Sequence, residues 1–344
     1  MRLAYFDASI LDDDGVPVAL RYRKAAALVF YLATEERAVP RPDLAALFWP
    51  DADETSAKNN LRLALADVRK RIGDVLDADR RTVRLRPDVA LENDLADFDA
   101  WARFEAPAGE RPVGADGTTP VLPGLDATDA PEFAEWVDAL RERVVRTAVD
   151  AWTAASDAYL REGRDEAAVD ALRTALACRS WDEPTHRRLA RLLASLGRRD
   201  AALAQVDAAR LEIRRQLDQG PSAALDALAA SLAARDAGAP GMPGAPPAPL
   251  GIVGRTAEIL EIERAFLEDE QRAVVVPGAP GMGASTVAWA AARVLAPRFL
   301  GGVATWSARD VRTPDALARA LRDHRPDAGD APALLFVDDV PHLA

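Results

Sequence analysis

The sequence predicts a multidomain α+β protein, and three observations support this fold class. Near the N-terminus, short strand-like segments surround three predicted helices. In the middle of the chain, alanine-rich helical patterns recur with a 34-residue period between Gly163 and Gly197. After a segment rich in proline and glycine, a short apolar run leads into a glycine-rich loop. A chain of 344 residues has room for two or three domains.

Composition and charge exclude several classes of protein. The net charge of −12 argues against a protein that coats nucleic acid regardless of sequence. Because salt screens charges beyond about 10 Å, a local basic surface remains compatible with that total.

The single cysteine, Cys178, excludes an internal disulfide and a cysteine metal site, and we expect it to be a buried small residue. We find no signal sequence or apolar membrane span and expect a cytoplasmic protein with no membrane partner.

Residues 1–94 show the pattern of a small DNA-binding domain, the winged helix-turn-helix. Turn-forming residues separate the candidate strands, and prolines mark the start and the end of the second helix. The predicted elements are a hairpin over residues 1–11 and 16–20, helices over 23–36, 42–49 and 55–76, and a wing at about 80–92 with strands at 82–85 and 89–91.

The predicted third helix, residues 55–76, has two contrasting faces. The face opposite the apolar one carries amide and guanidinium groups around the small residues Ala66 and Gly73, with no carboxylate near its centre. Such groups contact base edges in the major groove, and small neighbours allow a close approach. The alternative is an ordinary amphipathic helix with a basic outer face. The apolar residues recur at steps of three and four: Leu61, Leu65, Val68, Ile72 and Val75.

Positive charge is concentrated on this helix and on the wing. From Lys58 to Arg86 there are nine cations against four carboxylates, whereas residues 1–94 as a whole have 15 cations and 17 carboxylates. A phosphate-binding surface requires such a local excess. The predicted DNA-binding residues are Lys58, Asn59, Arg62, Arg69, Lys70, Arg80, Arg81 and Arg84.

Several motifs in this region resemble a known family. They are Arg23-Lys24-Ala25, Leu47-Phe48-Trp49-Pro50-Asp51, Ala57-Lys58-Asn59-Asn60-Leu61-Arg62 and Val68-Arg69-Lys70. Together they resemble the DNA-binding domain of the antibiotic regulatory protein (SARP) type of transcriptional activator. The resemblance implies binding to double-stranded promoter DNA at direct repeats, recruitment of RNA polymerase, and a location in the cytoplasm at the nucleoid. Self-association stays open.

Residues 95–235 are predicted to form an all-α domain of helical repeats. A helix begins near Asp97, residues 106–125 form a long loop, and the next helix begins near Pro131. The 34-residue period is that of the tetratricopeptide (TPR) repeat, in which small alanines let paired helices cross closely; a plain helical bundle is the alternative. We expect His186 to be a packed residue at a helix start without a catalytic role.

The repeats also resemble the bacterial transcriptional activator domain. Three motifs carry this resemblance: Phe133-Ala134-Glu135-Trp136, Glu183-Pro184-Thr185-His186-Arg187-Arg188-Leu189 and Gly220-Pro221-Ser222. Residues 236–250 follow as a linker rich in proline, glycine and alanine.

Residues 251–344 are predicted to be a partial α/β P-loop NTPase segment. A strand at 273–276 leads into a loop in which Ala284 replaces the lysine of G-x-x-x-x-G-K-[ST], and a second apolar strand ends at Asp338 as in a Walker B motif. Val253, Gly254, Arg255 and Glu258 resemble the entry segment of signal-transducing P-loop ATPases. We expect no ATP hydrolysis and no metal site; weak binding of ATP with Mg²⁺ stays open. The candidate nucleotide-binding residues are Gly278, Gly281, Gly283, Ser285, Thr286 and Asp338.

Two main functional hypotheses follow. The first is a sequence-specific DNA-binding transcriptional regulator that uses the helical repeats for protein contacts, and it is not an enzyme. The second is an ATP-responsive signalling switch of the STAND type, against which Ala284 counts because the phosphate-neutralising ammonium is missing. A scaffold that uses only the repeats is a third, weaker hypothesis.

Overall fold

The computed structural model describes residues 1–89, 91–103, 111–125, 129–218, 220–234, 255–267, 271–279, 281–296, 299, 303–324 and 333–340. The chain divides into two compact units. The first comprises Met1–Trp152 with Ala177–Arg179, and the second comprises Thr153–Leu176 with Ser180–Ala344.

The first unit contains two small three-stranded sheets packed with helices. One sheet has the strand order β2-β1-β6, in which β1 pairs antiparallel with β2 and parallel with β6. The other has the order β3-β5-β4, with both pairings antiparallel. The elements in chain order are β1 (Arg2–Ala4), β2 (Ser9–Leu11), α1 (Arg23–Glu35), β3 (Val39–Pro40), α2 (Arg41–Phe48), α3 (Glu54–Ile72), β4 (Leu76–Ala78), β5 (Thr82–Leu85), β6 (Glu92–Asn93), α4 (Asp94–Ala102) and the first part of α5 (Pro131–Arg161).

The N-terminal hairpin turns back earlier than predicted. The chain reverses between β1 and β2, and residues 16–20 form only a single bridge, between Leu11 and Pro17. Tyr5, in the turn between β1 and β2, is buried, and its hydroxyl donates to the carbonyl of Phe30 at 3.1 Å. That burial raises the pKa of Tyr5 to about 12. The predicted reversal between residues 11 and 16 is present, because the amide of Asp12 donates to the carbonyl of Val16 at 3.0 Å, but the predicted strand over 1–11 is divided into β1 and β2.

The third helix and the wing also differ from the prediction in their bounds. α3 ends at Ile72, four residues before the predicted end, because Gly73 adopts φ 96°, a left-handed conformation that favours glycine. The wing hairpin is β4 with β5, whereas the predicted strand at 89–91 is not part of it; Ala90 lies outside the described residues. Pro87 has no backbone N–H and cannot donate a hydrogen bond to a neighbouring strand of the wing. The next strand, β6, pairs with β1 in the other sheet.

A single hydrophobic core runs from the sheets and α1–α3 into the first part of α5. Phe133 of α5 lies 4.8 Å from Phe48 of α2, measured between ring centroids. Trp136 likewise lies 5.1 Å from Tyr31 of α1 in an edge-to-face contact. The first compact unit therefore extends beyond the predicted boundary at residue 94, because the core of the N-terminal helices is completed by α5.

The second unit is mainly helical and ends in a parallel pair of strands, β7 and β8. None of the helices that the structure describes has the length and apolar character required to cross a membrane. Besides the remainder of α5, the elements are α6 (Asp165–Cys178, whose last residues belong to the first unit), α7 (Glu183–Ser195), α8 (Arg199–Leu217), α9 (Ala223–Ala234), α10 (Thr256–Leu267), α11 (Ala284–Leu295), β7 (Val303–Ser307), α12 (Pro314–Asp323) and β8 (Leu334–Asp338).

The helical repeat predicted from the 34-residue period is confirmed. α6 and α8 each follow a left-handed glycine, Gly163 with φ 71° and Gly197 with φ 76°. Two alanines at equivalent positions of the repeats, Ala168 and Ala202, are both fully buried. Helix pairs of the second unit therefore pack through small residues, as the sequence pattern requires. The predicted linker 236–250 lies outside the described residues.

His186 is packed at the start of α7, as predicted. It is 4% exposed, and its Nε2 lies 2.8 Å from the carbonyl oxygen of Ser180. Its Nδ1 lies 2.5 Å from Nε2 of Gln205 in α8. Both ring nitrogens thus have partners inside the helical packing, which is the environment of a structural histidine.

Cys178 is half-buried against the loop at residues 115–117 of the first unit. Its Sγ donates to the carbonyl of Asp116 at 3.2 Å, and Gly117 approaches so closely that a Cβ there would lie 2.4 Å from the sulfur. Burial, with a smaller contribution from the Asp116 charge, raises the pKa of the thiol to about 11.

We predict that Cys178 reacts slowly with thiol reagents. At pH 8 a thiol with this pKa carries on the order of 100-fold less thiolate than an unperturbed cysteine, and the thiolate is the reactive form. The rate of iodoacetamide alkylation of the native chain should therefore keep rising above pH 9. The same chain unfolded in guanidinium provides the control, and equal rates for the two at pH 8 would contradict the prediction.

Candidate nucleic-acid interface

α3 is built so that one face is buried and its start is capped. The side chain of Asp53 accepts hydrogen bonds from the amides of Thr55 at 3.0 Å and Ser56 at 3.1 Å, and these satisfy two donors at the helix start. The hydrogen bonds from Ser56 lower the pKa of Asp53. The buried face then consists of Ala57, Leu61, Ala64, Leu65 and Val68.

The single carboxylate within the middle of α3 points inward. Asp67 is 9% exposed, and its Oδ2 accepts the amide N–H of Arg21 at 2.7 Å. Arg71 Nε lies 3.9 Å from the other oxygen of the same carboxylate. Asp67 therefore holds α3 against the segment that precedes α1, and it removes negative charge from the outer face. This role of Asp67 depends on a contact between distant parts of the chain, so residue spacing does not reveal it.

The outer face of α3 is exposed, cationic and partly apolar. Arg62 donates to Oδ1 of Asn59 at 3.0 Å, which holds both side chains side by side on this face. Leu63 is 40% exposed among them. Among the described residues, no carboxylate pairs with Arg62, Arg69 or Lys70, whereas Lys58 contacts Glu54 one turn before it. The exposed residues of this outer face are Lys58, Asn59, Arg62, Leu63, Ala66, Arg69 and Lys70.

The turn of the wing presents two further arginines. Arg80 and Arg81 lie between β4 and β5 and are both exposed. The carboxylate of Asp79 accepts the amides of Arg81 at 2.6 Å and Thr82 at 2.7 Å, and this fixes the turn. The backbone hydrogen bonds from Thr82 and Arg81 lower the pKa of Asp79. The turn is thus held by backbone contacts, and the two guanidinium groups have no carboxylate partner within the described part of the chain.

Two other predicted cations of the wing are paired with carboxylates. Arg84 Nη2 lies 2.8 Å from Oδ2 of Asp77 on the neighbouring strand. Arg86, one of the nine cations counted in the sequence, contacts both Asp74 and Asp88, and these contacts raise its pKa. The positive surface available to a ligand therefore consists mainly of α3 and the wing turn. Arg84 contributes less positive charge to it, because its guanidinium is paired with Asp77.

The glycine-rich loop of the second unit shows some of the predicted geometry. Gly281 and Gly283 have φ values of 86° and 82°, and α11 begins directly after Gly283. The Ser285 hydroxyl donates to Oδ1 of Asp338 at 2.7 Å, so the loop and the end of β8 are in contact. A Cβ on Gly278 would lie 2.7 Å from the Cβ of Ala284, which shows how closely the loop packs.

Other features of this loop do not fit a complete nucleotide site. The predicted buried strand at 273–276 was wrong, because these residues form no strand and Val275 is 86% exposed. Thr286 is exposed and has no recorded hydrogen bond within the described residues. The methyl group of Ala284 supplies no charge to a phosphate. Arg255 contacts the loop through the carbonyl of Met282 at 3.4 Å. The described residues therefore fit a bound nucleotide incompletely.

Comparisons with known proteins connect the repeats to transcription. Residues 119–233 match the family model of the bacterial transcriptional activator domain, which confirms the predicted resemblance of the repeats to that domain. No curated protein matches the chain. Among solved structures, Mycobacterium tuberculosis EmbR in complex with low affinity phosphopeptide aligns with 74% of this chain and 67% of that chain, at 20% sequence identity and a TM-score of 0.47.

We predict that the outer face of α3 contributes little to folding. Arg69→Ala and Lys70→Ala should each change the free energy of unfolding by no more than about 0.5 kcal/mol, because both side chains are exposed and unpaired. Leu65→Ala, on the buried face of the same helix, should cost about 2–5 kcal/mol.

Urea denaturation of the full chain, followed by tryptophan fluorescence, compares these variants. If Arg69→Ala lowered the free energy of unfolding by more than about 2 kcal/mol, the guanidinium would be a structural group. That result would contradict the prediction that this face is free to contact a ligand.

Proposed function

We propose that this chain is a sequence-specific DNA-binding transcriptional activator of the SARP type. The observation that carries the proposal is the exposed face of α3, where Arg62, Arg69 and Lys70 have no carboxylate partner among the described residues and lie beside the amide of Asn59. The match of residues 119–233 to the bacterial transcriptional activator domain supports the assignment to transcription.

In the proposed complex, α3 enters the major groove of double-stranded promoter DNA. Arg62 and Arg69 are suited to bidentate contacts with guanine, and Asn59 is suited to adenine. The exposed apolar surface of Leu63 and Ala66 suits the methyl group of thymine. Side chains of three chemical types on one face can distinguish base pairs, which a uniformly cationic face could not do.

The wing supplies contacts that do not depend on sequence. Arg80 and Arg81 at its turn are placed to bind backbone phosphates, which fix the position of α3 relative to the bases. Arg84 would have to exchange its contact with Asp77 for a phosphate, so we assign it a smaller role. The repeats would then contact RNA polymerase at promoters with direct repeats of the site, in the cytoplasm at the nucleoid.

We further propose that the C-terminal segment is a P-loop-like unit that does not hydrolyse ATP. The contact between Ser285 and Asp338 supports the P-loop-like geometry. The missing lysine and the absence of a strand at 273–276 argue against phosphoryl transfer, which depends on positioned positive charge. On this proposal the chain acts by binding and is not an enzyme.

Binding to promoter fragments of its own genome tests the main proposal. Arg62→Ala and Arg69→Ala should each cost about 1–3 kcal/mol of binding free energy at a preferred site and relax its sequence preference. Arg80→Ala and Arg81→Ala should weaken binding to all DNA sequences by a similar factor. Each should also reduce the slope of log affinity against log salt concentration by about 1. Fluorescence anisotropy at several salt concentrations measures both effects.

Arg173→Ala is the matched control, because Arg173 is an exposed arginine of α6 outside this surface, paired with Asp170. The control should bind DNA like the unmodified chain. Binding that does not respond to salt, or an equal loss in the Arg173 variant, would end the DNA-binding proposal.

The second proposal predicts that the full chain releases no phosphate from ATP above the buffer rate. Ala284→Lys should raise the Mg²⁺-dependent affinity for labelled ATP in equilibrium dialysis by at least about tenfold, because it restores the missing ammonium. Ala288→Lys, one turn further along α11, is the control and should leave binding unchanged. Steady hydrolysis by the unmodified chain would contradict the proposal.

A further inference from the structure

The second unit contains a solvent-open cavity of about 260 Å³ lined by residues of α5, α6, α7 and α10. Part of its wall is apolar and consists of four leucines, one from each of these helices. The rest of the wall is charged. Such a combination of an apolar wall with a few converging polar groups is typical of a small-molecule site. The leucines are Leu160, Leu172, Leu192 and Leu260.

The charged wall carries an excess of positive charge. Four arginines line the cavity together with two carboxylates, Asp157 and Glu261. A third carboxylate, Glu263, is not a lining residue but contacts one of the four arginines, Arg191. Among the described residues of this wall, positive charge exceeds negative charge even when Glu263 is included, and such an excess favours an anion. The arginines are Arg161 of α5, Arg188 and Arg191 of α7, and Arg264 of α10.

Two of these arginines are held in place by ion pairs. Arg191 and Glu263 are both buried, and Arg191 Nε lies 3.4 Å from Oε1 of Glu263. Arg188 contacts the carboxylate of Asp157. The guanidinium of Arg188 has five N–H donors in a planar fork, so its contact with Asp157 leaves donors for another oxyanion. Arg161 is exposed at the rim and has no ion-pair partner within the described residues.

A buried hydroxyl without a partner also lines the cavity. Ser156 is 1% exposed, and its Oγ has no hydrogen-bond partner in the described structure. An unsatisfied buried hydroxyl is costly to the folded state, and most buried polar side chains are hydrogen-bonded. A ligand oxygen in the cavity would accept this hydrogen bond. The hydroxyl therefore points to a ligand independently of the arginines.

We propose that this cavity binds a small organic oxyanion, a phosphate ester or a polycarboxylate. Arginine forks match both phosphate and carboxylate oxygens, and the Ser156 hydroxyl adds a neutral donor. The volume of about 260 Å³ lies below the usual range for drug-sized ligands, which favours an anion of few heavy atoms over a whole nucleotide. The site is separate from the glycine-rich loop at Gly278 and from the outer face of α3.

The ligand would join two parts of the second unit. Arg188, Arg191 and Leu192 belong to α7 in the repeats, whereas Leu260, Glu261 and Arg264 belong to α10 beyond the predicted linker. An oxyanion held between the two helices adds contacts to both and stabilises their packing. The cavity would thus be an effector site of the repeats.

Isothermal titration calorimetry of the full chain tests the proposal. The probes are sodium phosphate, pyrophosphate and citrate, each at constant ionic strength adjusted with sodium chloride. We expect saturable binding of at least one probe with one site per chain. Arg161→Gln combined with Arg264→Gln should weaken that binding at least tenfold. Arg173→Gln, on an exposed arginine of α6 away from the cavity, should leave it within twofold.

Ser156→Ala provides a second variant that keeps the fold. It removes an unsatisfied hydroxyl, so its melting temperature should be unchanged or higher, while binding should weaken at least threefold. Binding of phosphate or pyrophosphate alone identifies a phosphate ligand, and binding of citrate alone identifies a polycarboxylate. Absence of saturable binding for all three probes overturns the proposal. It is also overturned if both the double variant and Ser156→Ala bind within twofold of the unmodified chain.

Discussion

The rotation of α3 about its own axis is the constraint on which the candidate interface depends. Leu61, Leu65 and Val68 are each at most 2% exposed, and they fix which side of the helix faces the core. At about 100° per residue, this leaves Asn59 and Arg62 on the opposite side. Turning the helix by one position would place a guanidinium in the core, and an unpaired buried charge costs several kcal/mol. Apolar burial thus decides which groups can meet a ligand.

The N-terminal helices do not close a core by themselves. Phe48 and Tyr31 turn aromatic surface towards Phe133 and Trp136, which belong to α5 and follow the predicted winged helix by some distance in the chain. A fragment that ended at residue 94 would expose this surface to water, and contiguous apolar surface of that kind promotes association. The N-terminal helices and the start of the helical region are therefore one folding unit, although their sequence patterns differ.

Local sequence signals predicted the helices and their faces, but not the pairing of the strands. The buried stripe of α3 and the glycine turns of the repeats act over a few residues, so a single sequence reveals them. The register of the wing depends on the pairing of β5 with β3, which is distant in the sequence. The end of α3 at Gly73 was missed because the apolar periodicity continues to Val75.

The candidate site shows the same division between local and long-range signals. All eight residues predicted to bind DNA are exposed, because helical periodicity and turn composition place them. The pairing of Arg84 with Asp77 and the inward position of Asp67 depend on tertiary contacts that spacing does not encode. The cavity around Ser156 is of the latter kind as well, since its wall comes from four helices.

The acidity of the whole chain is compatible with the basic character of one face of α3. Salt limits the reach of a charge to about 10 Å, so the net charge of −12 does not cancel the field at α3. In the repeats, arginines such as Arg198 and Arg210 are paired with carboxylates and contribute little positive field. Non-specific DNA binding scales with the number of phosphates that a protein neutralises, and paired arginines neutralise few. On the proposed function, contacts with bases would therefore supply a larger share of the binding free energy and raise the ratio of specific to non-specific affinity.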